Sequence, residues 1–151
     1  MKRHEFITII DDILQSNMIS DYCPNGLQVE GSDDINRVIT GVTASQALID
    51  EAIKQKADCI LVHHGYFWKG EPQTITGIKM RRIKSLLTHN INLFAYHLPL
   101  DVHPVIGNNA QLAELLDMQW ETGLEPVNNS VAVKGRLKTP MMGEQFGQKI
   151  A

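Results

Sequence analysis

The sequence has little cysteine, few aromatic residues and no long hydrophobic run. Its two cysteines, Cys23 and Cys59, are widely separated, and their spacing matches neither a zinc knuckle nor a redox CxxC pair. The apolar runs are far shorter than the roughly 20 residues that a membrane-spanning helix needs. Acidic residues also interrupt any apolar signal-peptide core near the N-terminus. We therefore expect a soluble, cytoplasmic protein that does not associate with membranes.

Excess charge of either sign is also lacking. The chain has 14 Lys and Arg residues against 17 Asp and Glu residues, which gives a formal net charge of -3. Such a chain has no general attraction to phosphate backbones, so nucleic-acid binding is not expected. With 151 residues, 43% hydrophobic and 21% charged, the sequence is typical of a globular protein of about one domain.

Predicted strands and helices alternate along most of the chain. Apolar residues spaced three and four apart indicate helices, whereas runs of β-branched and apolar residues indicate strands. The predicted strands are residues 37–43, 58–63 and 91–96, and the predicted helices are residues 2–15, 45–56, 77–89 and 108–116. A short strand is also expected around Leu27 and Val29. Because buried strands separated by helices favour parallel pairing, the predicted fold class is α/β, with a largely parallel or mixed sheet flanked by helices.

Histidines are concentrated after two of these strands. His63 and His64 end one strand, and His97, Asp101 and His103 follow the next. The carboxyl ends of parallel strands lie along one edge of a sheet, and ligands bind beyond that edge. Imidazole and carboxylate ligands suit zinc, iron, manganese, nickel or cobalt. A metal site is the leading interpretation; a histidine pair in acid–base catalysis and simple packing are the alternatives.

The adjacency of His63 and His64 restricts how they can bind metal. Successive side chains of an extended strand point to opposite faces, so both imidazoles reach one ion only if the chain has already turned into the loop at Gly65. A site with two metals, one imidazole to each ion, fits this spacing better.

Four sequence blocks in a fixed order resemble a known family. They are SDYCPNGLQVEG at residues 20–31, TGVTASQALIDEA at 40–52, VHHGYFWKGE at 62–71 and HLPLDVHPVIGNNAQLA at 97–113. Together they resemble the dinuclear-metal family of GTP cyclohydrolase type 2 homologues, also called Nif-three-like proteins, and in particular its short bacterial members. The blocks span most of the chain, and the paired histidines with HxxxD are their most specific part.

This resemblance implies a ligand set for two divalent ions. His63 and His64 would bind one ion each, and Asp101, the aspartate of HxxxD, would bind one of the two. His97, which opens HxxxD, is the candidate catalytic residue, near the metals as a proton-transfer group. The alternative for His97 is a core histidine bonded to a carbonyl, and His103 is expected on a loop surface.

The family also uses an HxxxE segment near its C-terminus, and nothing after Asp101 matches it. We therefore expect the chain to be the N-terminal portion of a longer protein. We predict an N-terminal α/β metal-site domain at residues 1–126, with a second, incomplete α/β segment beginning at 127–151. In that segment, residues 127–130 are a polar linker, residues 130–137 a strand, and MMGEQFGQKIA the start of a helix.

Two further groups of residues admit two interpretations each. Three aromatic residues that follow the histidine pair could stack on a purine base, although packing is the favoured interpretation. A basic cluster on the helix at 77–89 is expected on a solvent-exposed face rather than at an anion site. The aromatic residues are Tyr66, Phe67 and Trp68, and the basic residues are Arg81, Arg82 and Lys84.

The function that the resemblance implies is a dinuclear metal-dependent hydrolase. Its substrate would be a nucleotide-like small molecule, and the family name implies GTP cyclohydrolase chemistry. A protein of another class is the alternative: a metal-binding scaffold or regulatory protein without catalysis. The resemblance also implies ring-shaped homo-oligomers, specifically homohexamers.

Overall fold

The computed structural model describes residues 1–125 and 130–150. They divide into two compact units, Met1–His97 and Leu98–Ala151. The domain boundary predicted after residue 126, and most of the predicted linker at 127–130, lie outside the described residues. The division of the complete protein into domains therefore stays a prediction.

The first unit contains a four-stranded mixed sheet with the strand order β1-β4-β3-β2. The central strand β3 pairs in parallel with both β2 and β4, whereas β1 pairs antiparallel with β4. The strands are β1 at Gly26–Val29, β2 at Val38–Thr43, β3 at Cys59–His64 and β4 at Asn92–Ala95. This arrangement confirms the predicted α/β class with a mixed sheet, and the ends of the three long predicted strands differ by at most one residue.

Three helices flank this sheet, and each confirms a predicted helix with end shifts of at most two residues. They are α1 at Arg3–Leu14, α2 at Gln46–Lys54 and α3 at Gly77–Thr88. The start of α2 is fixed by Ser45, whose side chain accepts a hydrogen bond from the backbone N–H of Leu48 at 3.2 Å. Helices α2 and α3 connect successive parallel strands, as expected for parallel pairing.

Strand β4 is buried on both faces, which places it at the centre of the core. Leu93 and Ala95 belong to the apolar cluster that also contains Ile49 of α2. Phe94 is fully buried, and its ring meets that of Phe6 of α1 edge-on with centroids 5.1 Å apart. Helices therefore cover the sheet from both sides, and its polar side chains are displaced to the strand ends.

The second unit combines three helices with a strand pair. It contains α4 at Leu98–Val102, α5 at Asn108–Leu115, β5 at Met118–Gly123, β6 at Val133–Leu137 and α6 at Gly143–Ile150. Strands β5 and β6 pair antiparallel. Helices α5 and α6 and strand β6 confirm their predictions. Helix α4 has only five residues, and β5 has only two large apolar residues, Met118 and Trp120, so neither gives a long periodic signal.

Within residues 1–125 and 130–150, every helix falls short of the length and apolar character needed to cross a bilayer.

Candidate metal centre

Three imidazoles converge at the carboxyl ends of β3 and β4. His63 and His64 are the last two residues of β3, and His97 follows β4 by two residues. The ring centroids of His63 and His64 are 4.4 Å apart, and that of His97 lies 5.0 Å and 5.6 Å from them, respectively. Each histidine offers one ligand atom, and the three atoms all lie within 4.8 Å of one another. These three histidines form the imidazole cluster.

The loop after β3 allows the adjacent histidines to share this cluster. A Cβ atom at Gly65 would clash with Gln28 Oε1 and would lie 2.6 Å from Ala95 Cβ, so only glycine fits where the chain leaves the strand. The same Gln28 oxygen accepts the backbone N–H of Tyr66 at 2.6 Å. The chain therefore leaves the extended conformation directly after His64, the condition under which the two side chains can come together.

The backbone fixes the tautomer of His63. Its Nδ1 lies 3.1 Å from the carbonyl oxygen of Tyr96. A carbonyl can only accept, so the ring proton lies on Nδ1 and the lone pair on Nε2. Such a bond from the second ring nitrogen is what metal-ligating histidines usually make.

A buried carboxylate orients His97. Its Nδ1 lies 2.8 Å from Oδ1 of Asp21, whose side chain is only 2% exposed. Asn25 holds both partners, because its Oδ1 accepts the backbone N–H of His97 at 2.7 Å and its Nδ2 donates to Asp21 Oδ2 at 2.9 Å. The bonded partner of the ring is thus a carboxylate and not the carbonyl considered above. The arrangement directs Nε2 of His97 to act as a metal ligand or a proton carrier.

Sequence reasoning missed Asp21. It is 76 residues from His97, and its own surroundings have the composition of a turn, so no local pattern marks it. The family block at residues 20–31 was the only available signal. Asn25, which bonds to both Asp21 and the backbone of His97, lies in the same block.

Cys23 lies in a second group of metal-binding residue types, together with Asp21 and His97. Burial, with a smaller contribution from the charge of Asp21, raises the pKa of the Cys23 thiol to about 11. The thiol is therefore protonated near neutral pH, and a metal would have to displace that proton in order to bind.

The other predicted site residues belong to the second unit. Asp101 lies in α4, and its Oδ1 accepts a hydrogen bond from Asn108 Nδ2 at 2.6 Å. His103 Nδ1 accepts the backbone N–H groups of Val105 and Ile106 at 3.2 Å and 3.1 Å. His103 thus caps a turn, in agreement with its expected loop role. The role of Asp101 as a metal ligand stays a prediction.

A cavity of about 560 Å³ adjoins the imidazole cluster and shares His64 with it. Trp68, another lining residue, meets the rings of His64 and His97 edge-on at centroid distances of 5.9 Å and 4.9 Å. Two cationic side chains of α3, Lys79 and Arg82, line the cavity as well. The first unit therefore places a candidate metal centre beside a space large enough for a small molecule.

Tyr66 and Phe67, the first two aromatic residues after the histidine pair, pack as favoured above, whereas Trp68 lies beside the imidazoles. Tyr66 is buried, and its hydroxyl donates to the carbonyl oxygen of Ala44 at 2.8 Å. Burial raises the pKa of Tyr66 to about 12, although the charge of nearby Arg82 opposes the shift. Phe67 packs against the core, and Lys79 Nζ lies 4.7 Å from its ring centroid. Trp68 is the one of the three that contacts the imidazoles.

The expectation for the basic cluster on α3 is wrong for one residue. Arg81 and Lys84 are exposed, as expected, but Arg82 is half-buried and lines the cavity. Arg82 follows Lys79 by three residues and precedes buried Ile83. Residues three apart share a helix face, so Arg82 lies at the margin of the face that packs on the sheet.

Comparisons with known proteins agree on one family. A Haemophilus influenzae protein described as a GTP cyclohydrolase 1 type 2 homolog is 58% identical over 150 residues, which are 99% of this chain and 60% of that protein. A solved structure described as protein ybgI, of unknown function, is 50% identical with a TM-score of 0.93, covering 99% of this chain and 59% of the other. A structure from Thermus thermophilus is 35% identical with a TM-score of 0.84, covering 99% and 60%.

The chain spans about 60% of the length of the curated relatives that it matches. Over its own length the match is complete, since the model of the Duf34/NIF3 (NGG1p interacting factor 3) family matches residues 1–151. The family resemblance of the four sequence blocks is confirmed by this match and by the structural similarity. The chain therefore belongs to the Duf34/NIF3 family.

Proposed function

We propose that this protein is a dinuclear metal-dependent hydrolase that acts on a nucleotide-like small molecule. The observation that carries the metal-binding part of the proposal is the imidazole cluster, in which His63, His64 and His97 offer ligand atoms within 4.8 Å of one another. The second ion is proposed from the family resemblance. The relatives' description as GTP cyclohydrolase 1 type 2 homologs supports the substrate class.

The chemistry of the donor atoms fits a divalent transition metal. Imidazole nitrogens suit zinc, iron, nickel and cobalt, and an added carboxylate also suits manganese. His63 and His64 would hold one ion each, with Asp101 as a ligand of one of them. The hydrogen bonds of His63 to Tyr96 and of His97 to Asp21 resemble those that orient metal-binding histidines.

When bound, such ions lower the pKa of a coordinated water and polarise the group under attack. His97 would transfer a proton through Nε2, because its Nδ1 is bonded to Asp21 and the ring is held in one orientation. Asp21 is almost fully buried, so water does not compete for this hydrogen bond. Trp68 would exclude water from one side of the cluster, since its ring lies against both His64 and His97.

A test of this proposal compares metal-loaded and chelator-treated protein on a panel of nucleotides and phosphate esters. We expect metal-dependent turnover of at least one nucleotide, abolished by His64→Ala and retained by His103→Ala. The control residue is also a histidine, but its ring nitrogen caps a turn in the second unit. The proposal fails if no compound is turned over with any of the candidate metals.

A metal-binding scaffold that assembles into a ring is the second candidate. Edge strand β2 exposes apolar side chains, Val42 at 69% among them, and an uncovered apolar edge favours association between copies. Three results together would favour this candidate: light scattering that shows a homohexamer, bound ions that exchange no water, and no turnover of any compound. Catalysis requires open coordination positions, whereas a structural metal site is closed.

A further inference from the structure

We propose that the cavity beside His64 binds the phosphoryl group of a nucleoside phosphate through Lys79 and Arg82 of α3. The inference rests on the proposed function only in placing the reacting part of the ligand at the imidazole cluster. Binding in the cavity itself depends on α3 and the loop before it, and it can be measured without any turnover.

The size and position of the cavity suit a small organic ligand. Its volume of about 560 Å³ lies within the roughly 300–1,000 Å³ of typical small-molecule sites. His64 and Trp68 line the cavity together with Lys79 and Arg82 of α3. The two cations and one imidazole of the cluster therefore face the same space.

The two cations are unusual because they are withdrawn from solvent. The side chain of Lys79 is only 17% exposed, and Arg82 is half-buried, whereas the neighbouring Arg81 is exposed. Lys79 Nζ donates to the carbonyl oxygen of Pro72 at 3.5 Å, and Arg82 interacts with the Tyr66 hydroxyl. In the described part of the chain, Nε of Arg82 is buried without a hydrogen-bond partner. A guanidinium with an unsatisfied donor is suited to phosphate oxygens, which accept two parallel bonds.

One acidic side chain, Glu71, opposes these charges. Its Oε2 lies 3.8 Å from Lys79 Nζ, beyond hydrogen-bond distance, and the side chain is 47% exposed. Glu71 is the sole carboxylate among the lining residues in the described part of the chain, so the two cations outnumber it. The lining therefore keeps a net positive charge, although Glu71 would repel a bound phosphate.

The beginning of α3 adds to the same electrostatic field. Thr76, which precedes the helix, and Ile78 in its first turn both line the cavity. Over the described residues, the Thr76 side chain makes no capping hydrogen bond to this helix. The N-terminal N–H groups of a helix favour anions, and here they accompany the two cationic side chains.

The experiment is a calorimetric titration of chelator-treated protein with GMP and with guanosine, which differ only in the phosphate. We expect GMP to bind more tightly than guanosine. Arg82→Gln should weaken GMP binding by about tenfold or more, with guanosine unaffected. Arg81→Gln is the matched control, because Arg81 is exposed on the same helix and should leave both affinities unchanged.

Lys79→Gln provides a second variant in case Arg82→Gln fails to fold, and circular dichroism checks both. Inorganic phosphate should displace GMP from the wild-type protein and identify the phosphoryl group as the recognised part. The inference is overturned if GMP does not bind, if it binds no better than guanosine, or if the Arg81 and Arg82 variants behave alike. Absence of hydrolysis with intact, Arg82-dependent GMP binding would instead refute only the proposed function.

Discussion

Replacing Asp21 by Asn tests how the protein controls the ring of His97. The Asp21 carboxylate accepts hydrogen bonds from the backbone N–H of Tyr22 at 2.5 Å, Nδ2 of Asn25 at 2.9 Å and Nδ1 of His97 at 2.8 Å. An amide has one accepting oxygen and one donating nitrogen. Asn25 cannot reverse its side-chain amide, because its Oδ1 accepts the backbone N–H of His97. The amide introduced at position 21 therefore places its nitrogen against another hydrogen-bond donor in either orientation.

The size of the effect follows from these contacts. When the amide nitrogen faces His97, the ring proton must move to Nε2, and the lone pair that would accept a transferred proton is lost. Mutation of a hydrogen-bonded partner beside the metal ligands weakens metal binding by about 10–100-fold, which is about 1.4–2.7 kcal/mol. The unpaired buried donor should also lower the free energy of unfolding by about 1–3 kcal/mol.

The assay is Zn²⁺ competition with a chromogenic chelator, together with urea denaturation. Asp12→Asn is the matched control, because Asp12 is an exposed aspartate on α1 and should change neither quantity. Imidazole ¹⁵N chemical shifts would report the tautomer of His97 directly. Unchanged Zn²⁺ affinity and an unchanged tautomer in Asp21→Asn would refute the assignment of Asp21 as the residue that positions His97.

Three further predictions concern the same unit. His64→Ala should reduce the bound metal measured by elemental analysis while leaving circular dichroism unchanged, because the residue ends β3; full metal retention would contradict the ligand assignment. Gly65→Ala should lower the free energy of unfolding by about 1–3 kcal/mol through its clash with Gln28, whereas Gly143→Ala, with open space around its Cβ, should not. Burial raises the pKa of the Cys59 thiol from 9.0 to about 12, so it should resist alkylation near neutral pH. The same shift gives stability that is present below pH 9.0 and lost as pH rises towards 12; a flat alkaline stability profile would contradict it.

The sequence predicted the elements that carry a strong local pattern. The spacing of apolar residues located α1 and α3, and uninterrupted apolar runs located β3 and β4. The pattern works because a helix or strand must bury one face or both, and the residues of that face are close in sequence. The direction of β1 carried no such signal, since its four residues pair antiparallel with β4, a strand that lies far along the chain.

The candidate site also contains residues that the sequence predicted and residues that it did not. His63, His64 and His97 were predicted to meet because the ends of neighbouring parallel strands share an edge, and the structure brings them together. Asp21 and Arg82 were not identified as parts of this region. Asp21 reaches His97 from a loop distant in sequence, and Arg82 differs from exposed Arg81 only by its angle around α3.

The amino-acid sequence by itself determined the α/β class, the family and the histidines at the strand ends, because each depends on neighbouring residues or on a local motif. Tertiary structure alone decided which buried carboxylate orients His97 and which cation of α3 lines the cavity beside His64. Both features depend on contacts between segments that are remote in sequence and on side-chain directions fixed by packing. Local periodicity carries no information about either, so they become visible only once the chain is folded.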